Sequence, residues 1–158
     1  MQSQATEKAL SWVYNCTSLQ EERERVLLDT TGHGGFILSV DTKWKTHAPC
    51  LTTPQEQWGL AANSNVNDLY CLAIVKPRGL RTIRDLRIEH VPLLASILSE
   101  GTARLQAVYG VPAGSLRVFF HYLPQFYHLH VHFTRLSNDF GCQVERCHLL
   151  EGVVSSVE

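Results

Sequence analysis

The spacing of apolar and polar residues along the chain predicts a series of short strands. Residues 36–40 (FILSV) and 68–75 (DLYCLAIV) are apolar runs of strand length, and the glycine-rich stretch 31–35 (TGHGG) predicts a turn. Residues 25–29 end on an apolar run just before that turn. They are therefore expected to form a hairpin with 36–40.

A second hairpin is predicted nearer the C-terminal end. Residues 116–123 (LRVFFHYL) and 127–134 (YHLHVHFT) have strand character and flank a bend at Pro124 and Gln125. Strands that follow one another so closely pair antiparallel, because parallel pairing needs a long crossover connection.

One long helix is predicted between residues 90 and 109, where apolar residues recur near a 3.6-residue period. Pro92 falls early in this segment and Gly110 follows its last periodic residue, as is typical of helix ends. Residues 5–15 predict a short helix or turn, and the tail 144–154 (VERCHLLEGVV) predicts a final helix. Together these elements predict an α+β fold with a mainly antiparallel sheet, one long helix and shorter helices.

Two segments have less regular patterns. Residues 45–66 mix proline, glycine and asparagine and predict a long loop, with a short helix near 55–62. Arginines recur at every third position between residues 78 and 87. We interpret this run as a solvated basic face, with phosphate binding as the alternative.

Composition narrows the class of protein. The chain has 158 residues, 44% of them hydrophobic, which suits one domain over residues 1–158. Its formal net charge of -1 gives no basic excess for binding long nucleic acid. No apolar run approaches the length of a membrane span, and the first residues lack the apolar core of a secretion signal. No membrane partner is expected.

The cysteines indicate the compartment. There are five, and none forms a CxxC pair, which favours reduced thiols in the cytoplasm and/or nucleus. Cys142 and Cys147 could be two ligands of a metal site, although buried or surface thiols are the simpler interpretation.

The stretch 127–133 (YHLHVHF) carries the candidate chemistry. On a strand, His128, His130 and His132 would point to one face, and the residues between them to the other. A shared metal ion is the less favoured interpretation, since the three rings would spread over about 13 Å. The strand itself also offers no carboxylate to support such a site.

Nucleophilic catalysis suits these residues better. A neutral imidazole can attack phosphorus and form a covalent phosphoramidate that water then hydrolyses. Flanking imidazoles can donate to phosphate oxygens where charge develops. His130 has a histidine on each side and is the candidate nucleophile. His121, on the preceding predicted strand, has the parity to lie beside the same face.

These residues match a known pattern. The alternation of histidine and apolar residues in 128–134 resembles the signature of the histidine triad superfamily of nucleotide hydrolases and transferases. The longer stretch FHYLPQFYHLHVHFT (120–134) is similar to the C-terminal domain of the scavenger mRNA decapping family. Further motifs extend the resemblance over nearly the whole chain: SWVYN (11–15), DTKW (41–44), NDLY (67–70), RGLRTIRDL (78–86) and VERCHLL (144–150).

The resemblance implies the histidine triad fold and a hydrolase. Its expected activity is metal-independent hydrolysis of the 5′-5′ triphosphate of short capped RNA remnants. The products would be 7-methyl-GMP and a nucleoside diphosphate, formed through a covalent histidine–nucleotide intermediate on His130. The resemblance further implies no cofactor, a capped mononucleotide or short capped oligoribonucleotide as partner, and a homodimer.

The resemblance also implies which residues bind the substrate. Trp12 would stack on the methylated base, since 7-methylguanine carries a positive charge that an indole face attracts. Glu22 would accept from the guanine edge, with Glu21 or Glu24 as alternatives in the run EERE. The full set of expected substrate contacts is Trp12, Glu22, Asp41, Lys43, His121, Gln125, Phe126, His128, His132 and Arg146. From the residues alone, Trp12 could equally be core, and Glu22 part of a solvated face.

Some features depart from the family pattern. The family's N-terminal domain, which closes over the cap, is expected to be absent from this chain. Gln125 stands where serine is common, and Val40 where proline is common. Two alternatives therefore stay open: a general histidine triad hydrolase of dinucleotide polyphosphates, and a non-catalytic cap-binding module. The pair of Trp12 and Glu22 distinguishes a cap-specific hydrolase from the general hydrolase, because an indole adds little binding energy for an unmethylated base.

Overall fold

The computed structural model describes residues 2–18, 20, 22–47 and 64–157, with side chains from residue 7 onward. The α-helices in this part of the chain are α1 (Gln2–Thr17), α2 (Val91–Tyr109) and α3 (Leu150–Val157). The strands are β1 (Val26–Asp29), β2 (Phe36–Val40), β3 (Tyr70–Val75), β4 (Leu116–His121), β5 (His130–Arg135) and β6 (Cys147–Leu149).

The strands form one sheet in the order β1-β2-β3-β5-β4-β6, and every neighbouring pair is antiparallel. The predicted α+β class, with its antiparallel sheet and one long helix, is confirmed. So is the first hairpin, in which Asp29 pairs with Ile37. None of the described helices is long and apolar enough to cross a membrane.

The long helix α2 packs on one face of the sheet. Gly101 lies so close to β5 that an added Cβ would be 2.7 Å from Cζ of Phe133. The helix ends where Gly110 adopts a left-handed conformation with φ of 65° and donates its N–H to the carbonyl of Gln106. Because β5 alternates, Val131 and Phe133 face α2, whereas His130 and His132 face the other side.

The second predicted hairpin is wrong at its bend. β4 ends at His121 and β5 begins only at His130, so His128 lies outside the strand. The backbone before His130 turns to a different partner, because the N–H of Leu129 donates to the carbonyl of Leu80 at 2.9 Å. The ladder between β4 and β5 therefore stops at the pair of Phe119 and His132.

The predicted C-terminal helix is wrong in its first half. Cys147–Leu149 is a strand, β6, which pairs with the open edge of β4, and only then does α3 begin. Pairing at an edge satisfies backbone groups that a helix starting at residue 144 would leave open on β4.

Other boundaries differ by a few residues. The N-terminal helix is longer than the predicted 5–15. The strand predicted at 68–75 begins at Tyr70, because Val66–Asp68 forms a 3-10 turn whose Asn65 side chain accepts from the N–H of Asn67. Within the predicted loop 45–66, residues 48–63 and with them the predicted helix at 55–62 lie outside the described residues.

The arginines between residues 78 and 87 are exposed, as the interpretation of a basic face requires. Three of them also lie over tyrosine rings: Arg78 over Tyr14, Arg81 over Tyr127 and Arg84 over Tyr122. These contacts bury part of each guanidinium against an aromatic face.

Candidate active site

Two adjoining cavities lie on the sheet face opposite α2. The histidine cavity, of about 430 Å³, is lined by side chains that include His121, His130, His132, Tyr70 and Arg146. The tryptophan cavity, of about 490 Å³, is lined by side chains that include Trp12 and Asp41. Both cavities share the side chains of Lys43, Leu72, Gln125 and Phe126. The shared residues make the two cavities one continuous surface for a ligand.

A third cavity, of about 580 Å³, lies beside α2 and is lined by residues such as Leu98, Thr102 and Val118. Val118 pairs with Phe133, so this cavity belongs to the sheet face that α2 covers. No histidine lines it. The candidate nucleophile His130 lines the histidine cavity instead.

His130 is held as a neutral imidazole. Its Nδ1 lies 2.7 Å from the backbone oxygen of His128, and a carbonyl only accepts, so Nδ1 carries the proton. Nε2 therefore keeps its lone pair. The ring is 5% exposed and stacks on Phe126 at 4.1 Å between centroids. Burial lowers its pKa to about 4 against the opposing effect of the hydrogen bond to His128, and the charge of Lys43 acts in the same direction as burial. At neutral pH this side chain can act as a nucleophile.

His132 leaves one ring nitrogen free toward the cavity. Its Nδ1 lies 3.0 Å from the hydroxyl of Tyr70. Burial raises the pKa of Tyr70, with the carboxylate of Asp41 adding to the effect, so the phenol keeps its proton and can donate to Nδ1 or accept from it. Nε2 of His132 is buried without a partner among the described residues. In the tautomer with its hydrogen on Nε2, an anionic oxygen in the cavity would satisfy this donor.

His121 lies where its predicted parity places it. Its ring centroid is 4.1 Å from that of His132. Its Nε2 donates to the carbonyl of Gly141 at 2.7 Å, which connects β4 to the loop after β5. Burial lowers its pKa, and Arg146 and Lys43 act in the same direction against the opposing effect of that hydrogen bond. The ring is therefore neutral near pH 7 as well.

His128 takes a different position from the one expected. Its ring does not line the histidine cavity. Instead it is 1% exposed, donates Nε2–H to the carbonyl of Val75 at 2.6 Å, and meets the ring of Tyr14 edge-on. Burial lowers its pKa. His128 acts on the histidine cavity through its backbone carbonyl, which accepts from Nδ1–H of His130 and so orients that ring. A substrate contact by its ring stays a prediction.

Trp12 and Glu22 meet at the edge of the tryptophan cavity. Nε1 of Trp12 donates to Oε1 of Glu22 at 3.1 Å, and the indole contacts the ring of Phe126. Trp12 is half-buried, so one part of the indole packs on the core and the rest lines the cavity. Of the acidic residues considered at this position, Glu22 is the one that the structure brings to Trp12, whereas Glu21 lies outside the described residues.

Asp41 positions the lysine that the two cavities share. Its carboxylate accepts from the backbone N–H of Lys43 at 2.7 Å and from its Nζ at 3.3 Å. Nζ of Lys43 also lies 5.0 Å from the centroid of the Tyr70 ring. Asp41 is buried, so its main effect is to hold the ammonium group between the histidines and Trp12. Arg146 supplies a second cation to the histidine cavity.

Among the described residues, no group of three or more histidine, cysteine, aspartate or glutamate side chains could hold a metal ion. The thiol of Cys142 instead contacts Nη1 of Arg117 at 3.0 Å.

Six residues that line the histidine cavity were not predicted: Tyr70, Leu72, Asp139, Phe140, Gly141 and Gln143. Tyr70 could have been found, since it ends the NDLY motif and alternates with Leu72 on β3. Phe140 and Gln143 lie on a loop with no periodic pattern.

Comparison with known proteins identifies the family. The family model described as "Scavenger mRNA decapping enzyme C-term binding" matches residues 11–148. The chain belongs to the scavenger mRNA decapping enzyme family. The family predicted from the sequence motifs is thus confirmed.

Relatives in several animals agree with this assignment. The chain is 40% identical over 152 residues to the m7GpppX diphosphatase of Bos taurus, covering 95% of this chain and 40% of that protein. It is 39% identical to the Homo sapiens protein of that name, with the same coverage, and 32% identical to the Ascaris suum one, covering 98% of this chain and 46% of that protein. The chain thus spans less than half the length of these relatives. The solved structure of Hnt3 in complex with DNA and guanosine, at 12% identity and a TM-score of 0.41 over 77% of this chain and 58% of that one, is too distant to support an inference.

Proposed function

We propose that this chain hydrolyses the 5′-5′ triphosphate of short capped RNA remnants, 7-methyl-GpppN, to 7-methyl-GMP and a nucleoside diphosphate. The names of the relatives, m7GpppX diphosphatase, support this activity. The observation that carries the proposal is the state of His130. It is a neutral imidazole whose Nδ1–H is fixed by a carbonyl, in a cavity that adjoins Trp12 and Glu22.

In the first step, Nε2 of His130 attacks the phosphorus next to 7-methylguanosine. A P–N bond forms, the P–O bond to the next phosphate breaks, and the nucleoside diphosphate leaves with the electron pair. The carbonyl of His128 accepts from Nδ1–H throughout and stabilises the positive charge that develops on the ring. In the second step, water attacks the same phosphorus and loses a proton to the solvent, the P–N bond breaks with its electron pair returning to Nε2, and 7-methyl-GMP and neutral His130 are released.

The cations and donors of the histidine cavity suit this chemistry. Lys43 and Arg146 oppose the charge of the triphosphate, and the buried Nε2 of His132, in the tautomer with its hydrogen there, donates to a phosphoryl oxygen. These groups are positioned before the substrate binds, because Asp41 holds Lys43 and Tyr70 holds His132.

The tryptophan cavity would receive the cap base. An indole face stacks on 7-methylguanine and attracts its positive charge. Glu22 lies at the edge of the indole and retains acceptor sites beyond the one used by Nε1 of Trp12. The bond to Trp12 also favours a second candidate, a general dinucleotide polyphosphate hydrolase, because it engages part of the carboxylate that would otherwise read the base.

The proposal includes the assembly, partners and location of the protein. The substrate is a capped mononucleotide or short capped oligoribonucleotide, and no long nucleic acid binds. We infer a homodimer, as histidine triad proteins generally pair two domains, and light scattering would test it. Location in the cytoplasm and/or nucleus follows from the cysteine usage.

A product assay tests the activity. Purified protein is incubated with 7-methyl-GpppG and a chelator, in parallel with GpppG, and the products are separated by ion exchange. We expect 7-methyl-GMP and GDP from the methylated substrate, and loss of turnover in His130→Asn with the cap nucleotide still bound. Equal cleavage of both substrates would favour the general hydrolase, and binding without cleavage the non-catalytic module. Undiminished turnover by His130→Asn would exclude this nucleophile.

A further inference from the structure

A line of rings crosses both cavities and passes over the nucleophile. In order, the rings are those of Trp12, Phe126, His130, His132, Tyr70 and Phe140. Neighbouring centroids are between 4.1 and 6.1 Å apart. In this order of contacts, His130 stands between Trp12, which lines the tryptophan cavity, and Phe140, which lines the histidine cavity.

Phe140 is the least buried ring in this line. It is 62% exposed, although it lines the histidine cavity together with Gln143. One edge contact, to Tyr70 with centroids 6.1 Å apart, holds it against β3. A phenyl group with a free face beside a polar cavity is a stacking surface for a flat ring.

The loop that carries Phe140 is anchored on both sides of the ring. Asn138 accepts from the backbone N–H of Phe140 at 3.0 Å, and its own carbonyl accepts from Nη1 of Arg117 at 3.1 Å. On the other side, the carbonyl of Gly141 accepts from His121. The backbone of Phe140 is thus fixed relative to the catalytic histidines, so stacking on it would cost little ordering entropy.

The histidine cavity combines cations with apolar and amide groups. Lys43 and Arg146 line the histidine cavity together with the histidines, which suits phosphate. Next to Phe140 in the loop is Asp139, and its carboxylate pairs with Nη2 of Arg117 at 3.3 Å. Phe140 and Gln143 thus add an apolar ring and an amide to a cavity whose cations suit phosphate, and a ring with an amide suits a nucleoside.

We propose that Phe140 stacks on the base of the leaving nucleotide, the N of 7-methyl-GpppN, with the Gln143 amide beside it. This inference rests on the proposed function. With 7-methylguanine on Trp12 and the attacked phosphorus at His130, the remaining phosphates extend past His132 toward Phe140. A phenyl face accepts any base, so this subsite favours the presence of a second nucleoside without selecting its identity.

Equilibrium binding tests the subsite without relying on turnover. The affinities of 7-methyl-GpppG and 7-methyl-GTP, which lacks the second nucleoside, are measured by calorimetry in the His130→Asn background. Phe140→Ala is then added and the ratio of the two affinities compared. Phe140→Tyr serves as a rescue variant that keeps a stacking face. Val144→Ala, an exposed position of the following turn outside both cavity linings, is the matched control.

We expect Phe140→Ala to lower the preference for 7-methyl-GpppG over 7-methyl-GTP about tenfold, the usual effect of removing one base stack. Phe140→Tyr and Val144→Ala should leave the preference in place. An unchanged preference in Phe140→Ala, or an equal loss for both ligands, would overturn the inference, as would failure to bind either ligand. The two proposals can fail separately. If the preference for 7-methyl-GpppG depends on Phe140 but the wild-type protein does not cleave 7-methyl-GpppG, the subsite is supported and the proposed hydrolysis is refuted.

Discussion

The burial of the neutral His130 ring predicts how the stability of the protein depends on pH. Its pKa is lowered from 6.5 to about 4 in the folded protein, chiefly by burial, whereas the unfolded chain exposes it to water. The unfolded state therefore binds more protons than the native state between these two values. This proton difference leaves the free energy of unfolding unchanged above pH 6.5 and lowers it progressively as the pH falls toward 4.

The size of the effect follows from the two pKa values. Between pH 7.5 and pH 5, one such group removes about 2 kcal/mol from the free energy of unfolding. The other histidines of the site have lowered pKa values too, so the total loss in the wild type is larger. Comparison with His130→Asn isolates the contribution of His130, because asparagine does not titrate and its amide can still donate to the carbonyl of His128.

Urea unfolding at pH 7.5 and pH 5 measures this difference. We expect the wild type to lose about 2 kcal/mol more than His130→Asn between the two pH values, whatever the relative stability of the variants at pH 7.5. Equal losses in both proteins would refute the reasoning, since His130 would then titrate alike in the folded and unfolded states.

Two further predictions concern packing and cap recognition. Gly101→Ala should destabilise the fold by about 1–3 kcal/mol, because the added Cβ meets a core ring at 2.7 Å. Gly152→Ala in α3, where no atom lies within 4 Å of the added Cβ, should be neutral or slightly stabilising. Thermal unfolding of both variants measures the two effects. Trp12→Ala should lower kcat/KM for 7-methyl-GpppG about tenfold and for GpppG much less. An equal loss on both substrates would show that the indole acts through packing alone.

The central part of the site was predictable because it depends on strand periodicity. The alternation of His130 and His132 with apolar residues placed both rings on one face, and the parity of β4 placed His121 beside them. His128 was not predictable in this way. Its position depends on a hydrogen bond between Leu129 and Leu80, which are far apart in the sequence.

The parts that were missed depend on tertiary context. Nothing in the local pattern of Cys147–Leu149 favours strand over helix, and the open edge of β4 decides it. Phe140 reaches the histidine cavity because Asn138 binds the backbone carbonyls of Asp68 and Leu69, a contact between segments about seventy residues apart. Short-range patterns carry no information about such contacts.

The central claim is that His130 forms a covalent bond to the substrate phosphorus. The most direct measurement is to mix the protein with 7-methyl-GpppG, quench within milliseconds to seconds under alkaline denaturing conditions, and analyse the peptides by mass spectrometry. We predict that the peptide containing His130 carries a 7-methyl-GMP adduct during turnover, and that His130→Asn shows neither the adduct nor turnover. Turnover without an adduct at any quench time, or an adduct on another residue, would contradict the account.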